Sequence, residues 1–175
     1  MSSTQSASDA RIRQANASDV PAITRIYNAG IEDRLATLET ELRDEQERAA
    51  WLASRSERHP VMVAVNDRDE VLGWGSLNQF NPRPAYRHVA DFSIYIAREA
   101  RGQGVGSALL AALIETATSL GYHKLVVAGF PFNTAGMALY QRFGFREVGI
   151  YREQGVLDGR WVDVVLMERL LHSAD

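Results

Sequence analysis

The chain has 175 residues, of which 46% are hydrophobic and 23% are charged, and these proportions are ordinary for a globular domain with a full core. A net charge of −3 gives no electrostatic case for nucleic acid as the main partner, and no apolar run approaches the roughly 18 residues of a membrane span. The lack of cysteine excludes disulfides, thiolate metal sites and a cysteine nucleophile. Residues 1–10 are polar and have no apolar signal region, so they are predicted to be a disordered lead-in to a cytoplasmic protein.

The first half of the chain alternates strand and helix signals. Residues 11–15 are a short strand candidate, and Ser18 or Asp19 can cap a helix that has Pro21 in its first turn and runs to about Gly30. The next predicted elements are a linker at 32–41, a helix at 44–56, and two strands at 61–65 and 71–80 that form a hairpin.

The second half begins with Asn81-Pro82-Arg83-Pro84, where two prolines remove amide donors and interrupt regular structure. The predicted elements that follow are a strand at 88–97, a helix at 108–120, a strand at 125–128, a helix at 133–143, and a closing hairpin of 147–154 with 156–170. This order predicts a single α/β domain over residues 11–171, with one mixed sheet and helices on both faces.

A glycine-rich turn between the strand at 88–97 and the next helix is the most informative stretch. It reads Arg101-Gly102-Gln103-Gly104-Val105-Gly106-Ser107, an R-x-x-G-x-G pattern. Free amide donors at a helix start bind anions such as phosphate. The turn lacks the last glycine of the dinucleotide fingerprint, and no Gly-Lys-Ser/Thr follows as in a Walker loop. A phosphate-bearing ligand is therefore predicted, with a plain glycine turn as the alternative.

A second motif lies one helix and one strand further on. Asn133 is followed by Leu139-Tyr140 and then by Phe143-Gly144-Phe145. With the glycine-rich turn at this spacing, the chain resembles the GCN5-related N-acetyltransferase (GNAT) superfamily. The resemblance implies a central twisted mixed sheet of about six to seven strands flanked by about four helices. It also implies acetyl-CoA as the co-substrate, no metal, and a homodimer.

A narrower similarity is to the phosphinothricin acetyltransferase branch, whose members acetylate the α-amino group of phosphinothricin, methionine sulfoximine or arsinothricin. Two positions depart from that branch: Leu38 stands where many members have an aromatic residue, and Asn81 where some have an arginine. The segments that carry the similarity are Tyr27-Asn28, Thr37-Leu38-Glu39-Thr40-Glu41, Pro82-Arg83, Phe92-Ser93-Ile94-Tyr95-Ile96 and the stretch from Leu157 to Val164.

Acetyl transfer requires that the pyrophosphate of the cofactor be held and that the thioester carbonyl be polarised. The glycine-rich turn supplies amides for the first task. The resemblance implies that the strand at 94–96 pairs with the pantetheine arm and that one of its amides donates to the thioester oxygen. The predicted cofactor-binding residues are Ile94, Tyr95, Ile96, Arg101, Gly102, Gln103, Gly104, Val105, Gly106, Ser107, Asn133 and Tyr140.

Proton transfer requires a base for the amine and an acid for the departing thiolate. Tyr140 is the candidate acid, with a core aromatic as the alternative, and Asn133 is either a ligand of the pantetheine or a helix cap. Asp91 is the candidate base, and Glu39 and Glu41 are the others. A carboxylate with an ordinary pKa is a weak base, so burial or a water relay is required.

Arg83 lies in a stiff loop between two prolines and is suited to bidentate capture of a carboxylate or a phosphinate. Arg87 and Glu41 are further predicted substrate contacts. His88 and His123 lack metal-ligand spacing. Trp161 is predicted either to wall the substrate pocket or to pack across a dimer interface.

Three functions are consistent with these residues. The first is an acetyl-CoA-dependent N-acetyltransferase for a small amino acid, most of all a toxic glutamate analogue, by direct attack in a ternary complex. The second keeps the reaction but transfers the group to a protein N-terminus or a polyamine. The third is a regulatory domain that binds acyl-CoA without turnover.

Overall fold

A computed structural model describes residues 10–172, so the predicted lead-in lies outside the described residues apart from its last position. Within this range the chain forms one seven-stranded sheet in the order β1-β2-β3-β4-β5-β7-β6, which confirms the predicted fold class. No helix in this range is long and apolar enough to cross a bilayer. The strands are β1 (Arg11–Gln14), β2 (Val61–Val65), β3 (Val71–Gln79), β4 (Val89–Ile96), β5 (Lys124–Gly129), β6 (Arg146–Leu157) and β7 (Arg160–Leu170), and the helices are α1 (Val20–Glu32), α2 (Glu45–Ala53), α3 (Val105–Ser119) and α4 (Thr134–Arg142).

Helix α1 begins where the sequence predicts, but its capping differs from the prediction. Asn16 caps a short 3-10 turn ahead of the helix by accepting a hydrogen bond from the amide of Ser18. The carboxylate of Asp19 accepts from the amide of Asn16 and pairs with Arg13 instead of capping α1. This reciprocal arrangement is a capping box. It uses Asp19 to tie the start of α1 to strand β1.

The two faces of the sheet carry different helices, as predicted. On one face, Gly30 of α1 lies against the ring of Tyr95, and α1 and α2 pack around Trp74. On the other face, α3 lies so close to β3 that a Cβ on Gly75 would come within 2.9 Å of the side chain of Leu113. Glycine in β3 therefore allows α3 to approach the sheet closely.

Three predicted boundaries are wrong, and the first is that of helix α2, which ends at Ala53 and not at Ser56. Helix α3 begins at Val105, not at Ala108, because Gly104 with a φ of 88° is already the last loop residue. The closing hairpin turns at Asp158 and Gly159, which both have positive φ, as a two-residue hairpin turn of type I′ requires. The predicted break at Gly155 is instead a register shift inside β6, between Tyr151 and Gly155.

The feature that positions the functional site is a wedge between β4 and β5. These two strands run parallel, but they pair only from Val89 to Asp91, opposite Lys124 to Val126. Among the described strands, the rest of β4 pairs with β3 alone, while β5 continues along β7. The wedge therefore opens toward the end of β4 that leads into the glycine-rich turn.

Candidate active site

A cavity of about 470 Å³ lies at the wedge, a volume typical of small-molecule sites. Strand β4, the glycine-rich turn, helix α4 and residues around the end of α1 line it. Every predicted cofactor-binding residue lines this cavity except Gln103, whose side-chain amide donates to the carbonyl oxygen of Glu99 at 2.8 Å. The tertiary structure thus brings together segments that lie far apart in the sequence.

The glycine-rich turn presents an uncapped helix start to this cavity. Gly102 and Gly104 have φ of 72° and 88°, a conformation that favours glycine, and a Cβ at either position would meet no atom within 4 Å. No side chain of the described residues caps α3. Because the first amides of a helix have no intrahelical acceptor, those of Val105, Gly106 and Ser107 remain available as donors. These donors fit an anionic group such as a pyrophosphate.

Two arginines lie beside the turn and differ in their engagement. Arg101 pairs with Asp33 at 2.7 Å and donates from Nε to the carbonyl oxygen of Ile96 at 3.3 Å, so it ties the turn to α1 and β4. Arg142, at the end of α4, lines the cavity and donates to Oγ of Ser107 at 3.4 Å. It has no carboxylate partner within residues 10–172. The sequence analysis did not identify Arg142, because its contact with Ser107 joins residues that are 35 positions apart and no short motif indicates it.

The backbone of β4 offers amide donors to the wedge. The amide of Ala97 donates to the carbonyl oxygen of Leu72, on the β3 side. Backbone groups along a strand point alternately to its two sides, so the amides of Ile94 and Ile96 face the opposite side, into the wedge. An extended ligand could pair with them as an added strand would.

Tyr140 lies on α4 and borders the cavity. Its ring packs against Phe92 and Phe145, with centroid distances of 5.6 Å and 6.2 Å. Burial raises the pKa of its phenol to about 12. The hydroxyl therefore stays protonated near neutral pH and keeps its proton available as a donor.

Asn133 caps α4, since its Oδ1 accepts from the amide of Gly136 at 3.1 Å. A Cβ on Gly136 would lie 2.7 Å from Nδ2 of Asn133, so glycine at this position leaves room for the capping side chain. The cap is one of the two predicted roles. Its amide group also borders the cavity, which leaves the other predicted role open.

Asp91 is the last residue of β4 that pairs with β5, so it lies where the wedge begins. Its side chain shares a face with that of Tyr95, toward α1 and α2, because side chains of a strand alternate. Burial raises the pKa of its carboxyl group, partly offset by a hydrogen bond from Asn78 and by the charge of Arg55. A carboxylate with a raised pKa is a stronger base than an ordinary one.

Glu39 and Glu41 lie in the connection between α1 and α2. The carboxylate of Glu39 accepts from the amides of Thr40 and Glu41 and pairs with Arg43. The amide of Glu41, the side chain of Arg43 and the amide of Thr40 together lower the pKa of Glu39. Its geometry is that of a local turn, and neither glutamate lines the cavity.

Arg83 and Arg87 are exposed in the loop that precedes β4. The amide of Arg83 donates to Oδ1 of Asn81, and Nε of Arg87 donates to Nε2 of His88. This loop leads into the paired end of β4, whereas the cavity lies at the opposite end. Within the part of the chain that the structure describes, no group of three or more His, Asp or Glu side chains is placed to hold a metal ion.

The sequence and the fold are both similar to those of known acetyltransferases. A model of the acetyltransferase (GNAT) family matches residues 23–145. The L-methionine sulfoximine/L-methionine sulfone acetyltransferase of Pseudomonas aeruginosa is 35% identical over 160 residues, which is 91% of this chain and 93% of that protein. Two solved structures superpose with a TM-score of 0.88 each.

The first of these structures is a phosphinothricin acetyltransferase from Sinorhizobium meliloti in complex with acetyl-CoA. It is 33% identical and covers 92% of this chain, which in turn covers 88% of it. The second is a ribosomal-protein-alanine N-acetyltransferase from Brucella melitensis. It is 37% identical, with coverages of 91% and 99%.

Proposed function

The chain belongs to the GNAT family of acetyltransferases, and on that premise we propose that it acetylates the α-amino group of a small amino acid. The acceptor class is a glutamate analogue such as phosphinothricin, methionine sulfoximine or arsinothricin. The names of relatives support the first two acceptors, and the resemblance of the sequence to the branch supports the third. The observation that carries the reaction is one cavity bordered by the uncapped start of α3, the free amides of β4 and the phenol of Tyr140.

Acetyl-CoA supplies a thioester, an activated acyl group with a thiolate leaving group. In this proposal the amides from Gly102 to Ser107 hold its pyrophosphate, and Arg142 adds positive charge beside them. The amides of Ile94 and Ile96 pair with the pantetheine arm, and Asn133 contacts it from α4. The amide of Ile94 also donates to the thioester oxygen, where negative charge develops.

Asp91 is the proposed base and Tyr140 the proposed acid. Asp91 accepts a proton from the acceptor ammonium, directly or through one water, and the neutral amine then attacks. Tyr140 donates its hydroxyl proton to the departing thiolate, and the second proton that the nitrogen loses on forming the amide restores the phenol. Asp91 is preferred to Glu39 because burial raises the pKa of Asp91, whereas backbone amides and Arg43 lower that of Glu39.

Arg83 and Arg87 remain predicted contacts for the distal anionic group of the acceptor, and Glu41 remains a predicted substrate contact. Neither arginine has a carboxylate partner among the described residues. Nε of Arg87 donates to His88, but the terminal nitrogens of both guanidinium groups are available to a ligand. Their exposed loop directly precedes β4, so it lies at the opposite end of this strand from the glycine-rich turn.

The reaction is tested by measuring thiol release from acetyl-CoA with a panel of acceptors. The panel is L-phosphinothricin, L-methionine sulfoximine, arsinothricin, spermidine and a short peptide with an N-terminal alanine. Turnover of a glutamate analogue, abolished by Asp91→Asn, supports the proposal. Activity on the peptide or on spermidine alone contradicts the acceptor class, and binding of acetyl-CoA without any turnover supports a regulatory domain.

We also propose that the protein works in the cytoplasm as a homodimer. Strand β6 is an edge strand, and Val148, Tyr151 and Val156 on it are about half exposed. Trp161 on β7 is 66% exposed. Long apolar edges are seldom left uncovered in monomers, and twofold pairing is the commonest way to cover them. Light scattering is expected to give twice the chain mass, and Trp161→Glu to shift it toward the monomer.

A further inference from the structure

Arg48 on α2 is a buried cation that has no anionic partner among residues 10–172. The residue is 9% exposed, and its Nε is buried with no hydrogen-bond partner. Its guanidinium group makes no ion pair or hydrogen bond with any described residue. Because burying an unpaired charge is costly, such a group is a candidate for binding a ligand of opposite charge.

Two aromatic rings pack on the planar guanidinium group of Arg48 and leave its N–H donors free. The guanidinium carbon lies 4.3 Å from the ring centroid of Trp51 and 5.0 Å from that of Tyr27. Cation–π contacts of this kind act on the face of the planar group. The N–H groups project in the plane, so stacking leaves them able to bind a carboxylate in a bidentate manner.

The described part of the chain does not supply a counter-ion. Glu47, whose charge acts on Arg48, pairs with Arg43 at 2.9 Å, and Glu39 pairs with the same arginine. Burial accordingly lowers the pKa of Arg48. The charge of an anionic ligand would offset the free-energy cost of burying this cation.

Arg48 also lies on the face of the sheet that the proposed acceptor would occupy. Tyr27 packs on Tyr95, with ring centroids 5.0 Å apart, and the charge of Arg48 acts on the Tyr95 phenol. Tyr95 borders the cavity and shares its face of β4 with Asp91. A small molecule that reaches from the wedge toward α2 would therefore meet a base and a cation on the same face.

We propose that Arg48 binds the α-carboxylate of the amino-acid acceptor, with Tyr27 and Trp51 holding its guanidinium plane. This inference rests on the proposed function, because it requires an acceptor with a carboxylate beside the reacting amine. In this arrangement the buried Arg48 binds the α-carboxylate, and Arg83 and Arg87 contact the distal anionic group of the acceptor. It also gives a reason for selecting free amino acids over polyamines, which carry no carboxylate.

The test compares L-methionine sulfoximine with its α-carboxamide as acceptors, in the wild type and in Arg48→Gln. The wild type is expected to favour the free acid by about 10- to 100-fold in kcat/KM, the range for a hydrogen-bonded charge. Arg48→Gln should lose most of this preference, mainly through KM of the free acid. Arg25→Gln, a change at an exposed arginine of α1, serves as the matched control and should keep the preference.

The ratio between the two acceptors separates ligand binding from a structural role. If Arg48→Gln slows both acceptors equally, Arg48 only supports the packing of Tyr27 and Trp51, and the inference is wrong. If the wild type turns over neither acceptor, the proposed function itself fails. The KM for acetyl-CoA reports whether the variant is folded. Should Arg48→Gln not fold, Arg48→Lys is expected to reduce the preference several-fold, because lysine cannot make the bidentate contact, and an unchanged preference would overturn the inference.

Discussion

Asn78 lies directly opposite Asp91 in the β3–β4 ladder, and Arg55 fixes which end of its amide faces that carboxyl group. Arg55 and Ser76 donate to Oδ1 of Asn78 at 3.0 Å and 2.9 Å. Since arginine can only donate, Oδ1 must point toward it. The amide nitrogen is left to donate to Ser93 and to Asp91. The proposed base is therefore held by a side chain whose own orientation is fixed.

This arrangement predicts the effect of Asn78→Ala on the pH dependence of activity. Burial raises the pKa of Asp91, and the hydrogen bond from Asn78 lowers it. Removing that bond should raise the pKa further, so the carboxyl group becomes protonated at a higher pH. The acidic limb of the kcat/KM profile should then move to higher pH, with reduced activity below it.

The matched control for this change is Gln79→Ala, at the next residue of β3, which is exposed and faces the other side of the sheet. Its profile should coincide with that of the wild type. An acidic limb that stays in place in Asn78→Ala would show that Asp91 is not the group whose protonation limits the reaction.

Tyr140→Phe should lower kcat by about 100-fold or more and leave the KM for acetyl-CoA nearly unchanged, because it removes a proton donor and keeps the ring packing. The raised pKa of about 12 means that Tyr140 stays protonated throughout the accessible pH range. The pH profile of kcat for the wild type should therefore show no decline caused by ionisation of Tyr140 below about pH 10. Tyr122→Phe, which removes a hydroxyl that donates to the carbonyl oxygen of Arg58 away from the cavity, is the control. An unchanged kcat in Tyr140→Phe would leave Tyr140 with a packing role alone.

Arg142→Ala should raise the KM for acetyl-CoA by about tenfold with little change in kcat, because one charge-assisted contact with a phosphate is lost. The difference from the wild type should narrow as salt is added, since salt screens exposed charges. Arg25→Ala removes an exposed arginine of α1 and should leave the KM unchanged. Equal KM values for Arg142→Ala and the wild type would place Arg142 outside the cofactor site.

Asp19→Asn tests the buried ion pair that ties α1 to β1. Burial alone would raise the pKa of Asp19, but hydrogen bonds from Arg13 and from the amide of Asn16 outweigh it and lower the pKa. Its ionised form therefore stabilises the fold above about pH 4, and this contribution is lost as the pH falls through the lowered folded-state pKa. At pH 7 the variant should lose about 2 kcal/mol of unfolding free energy in urea titrations.

The difference between the wild type and Asp19→Asn should shrink as the pH is lowered below about 4. Asp69→Asn removes the exposed partner of the same Arg13 and should have a much smaller effect at any pH. A difference that is constant across this pH range would show that Asp19 acts through packing and not through its charge.

The local elements of the fold could be predicted from the sequence, because their causes lie within a few residues. Gly102 and Gly104 sit where the chain needs positive φ, and Asn133 caps the helix that the spacing predicts. Predicted boundaries were wrong where a local signal competed with strand pairing. Gly155 resembles a turn residue, yet β6 continues to pair with β7 beyond it, up to the turn at Asp158. The GNAT family and its mixed sheet followed from two motifs at a fixed separation, and both are confirmed.

The sequence by itself determined the family, the glycine-rich turn and the order of strands and helices, since motif spacing, glycine conformations, capping and hydrophobic periodicity are properties of short segments. Only the tertiary structure decided which side chains meet. The wedge depends on where β4 and β5 stop pairing, and the contact of Arg55 with Asn78 depends on strand register. The unpaired burial of Arg48 depends on how α2 packs on α1 and the sheet. Pairing register and packing join residues that are distant in the chain, so no local pattern records them.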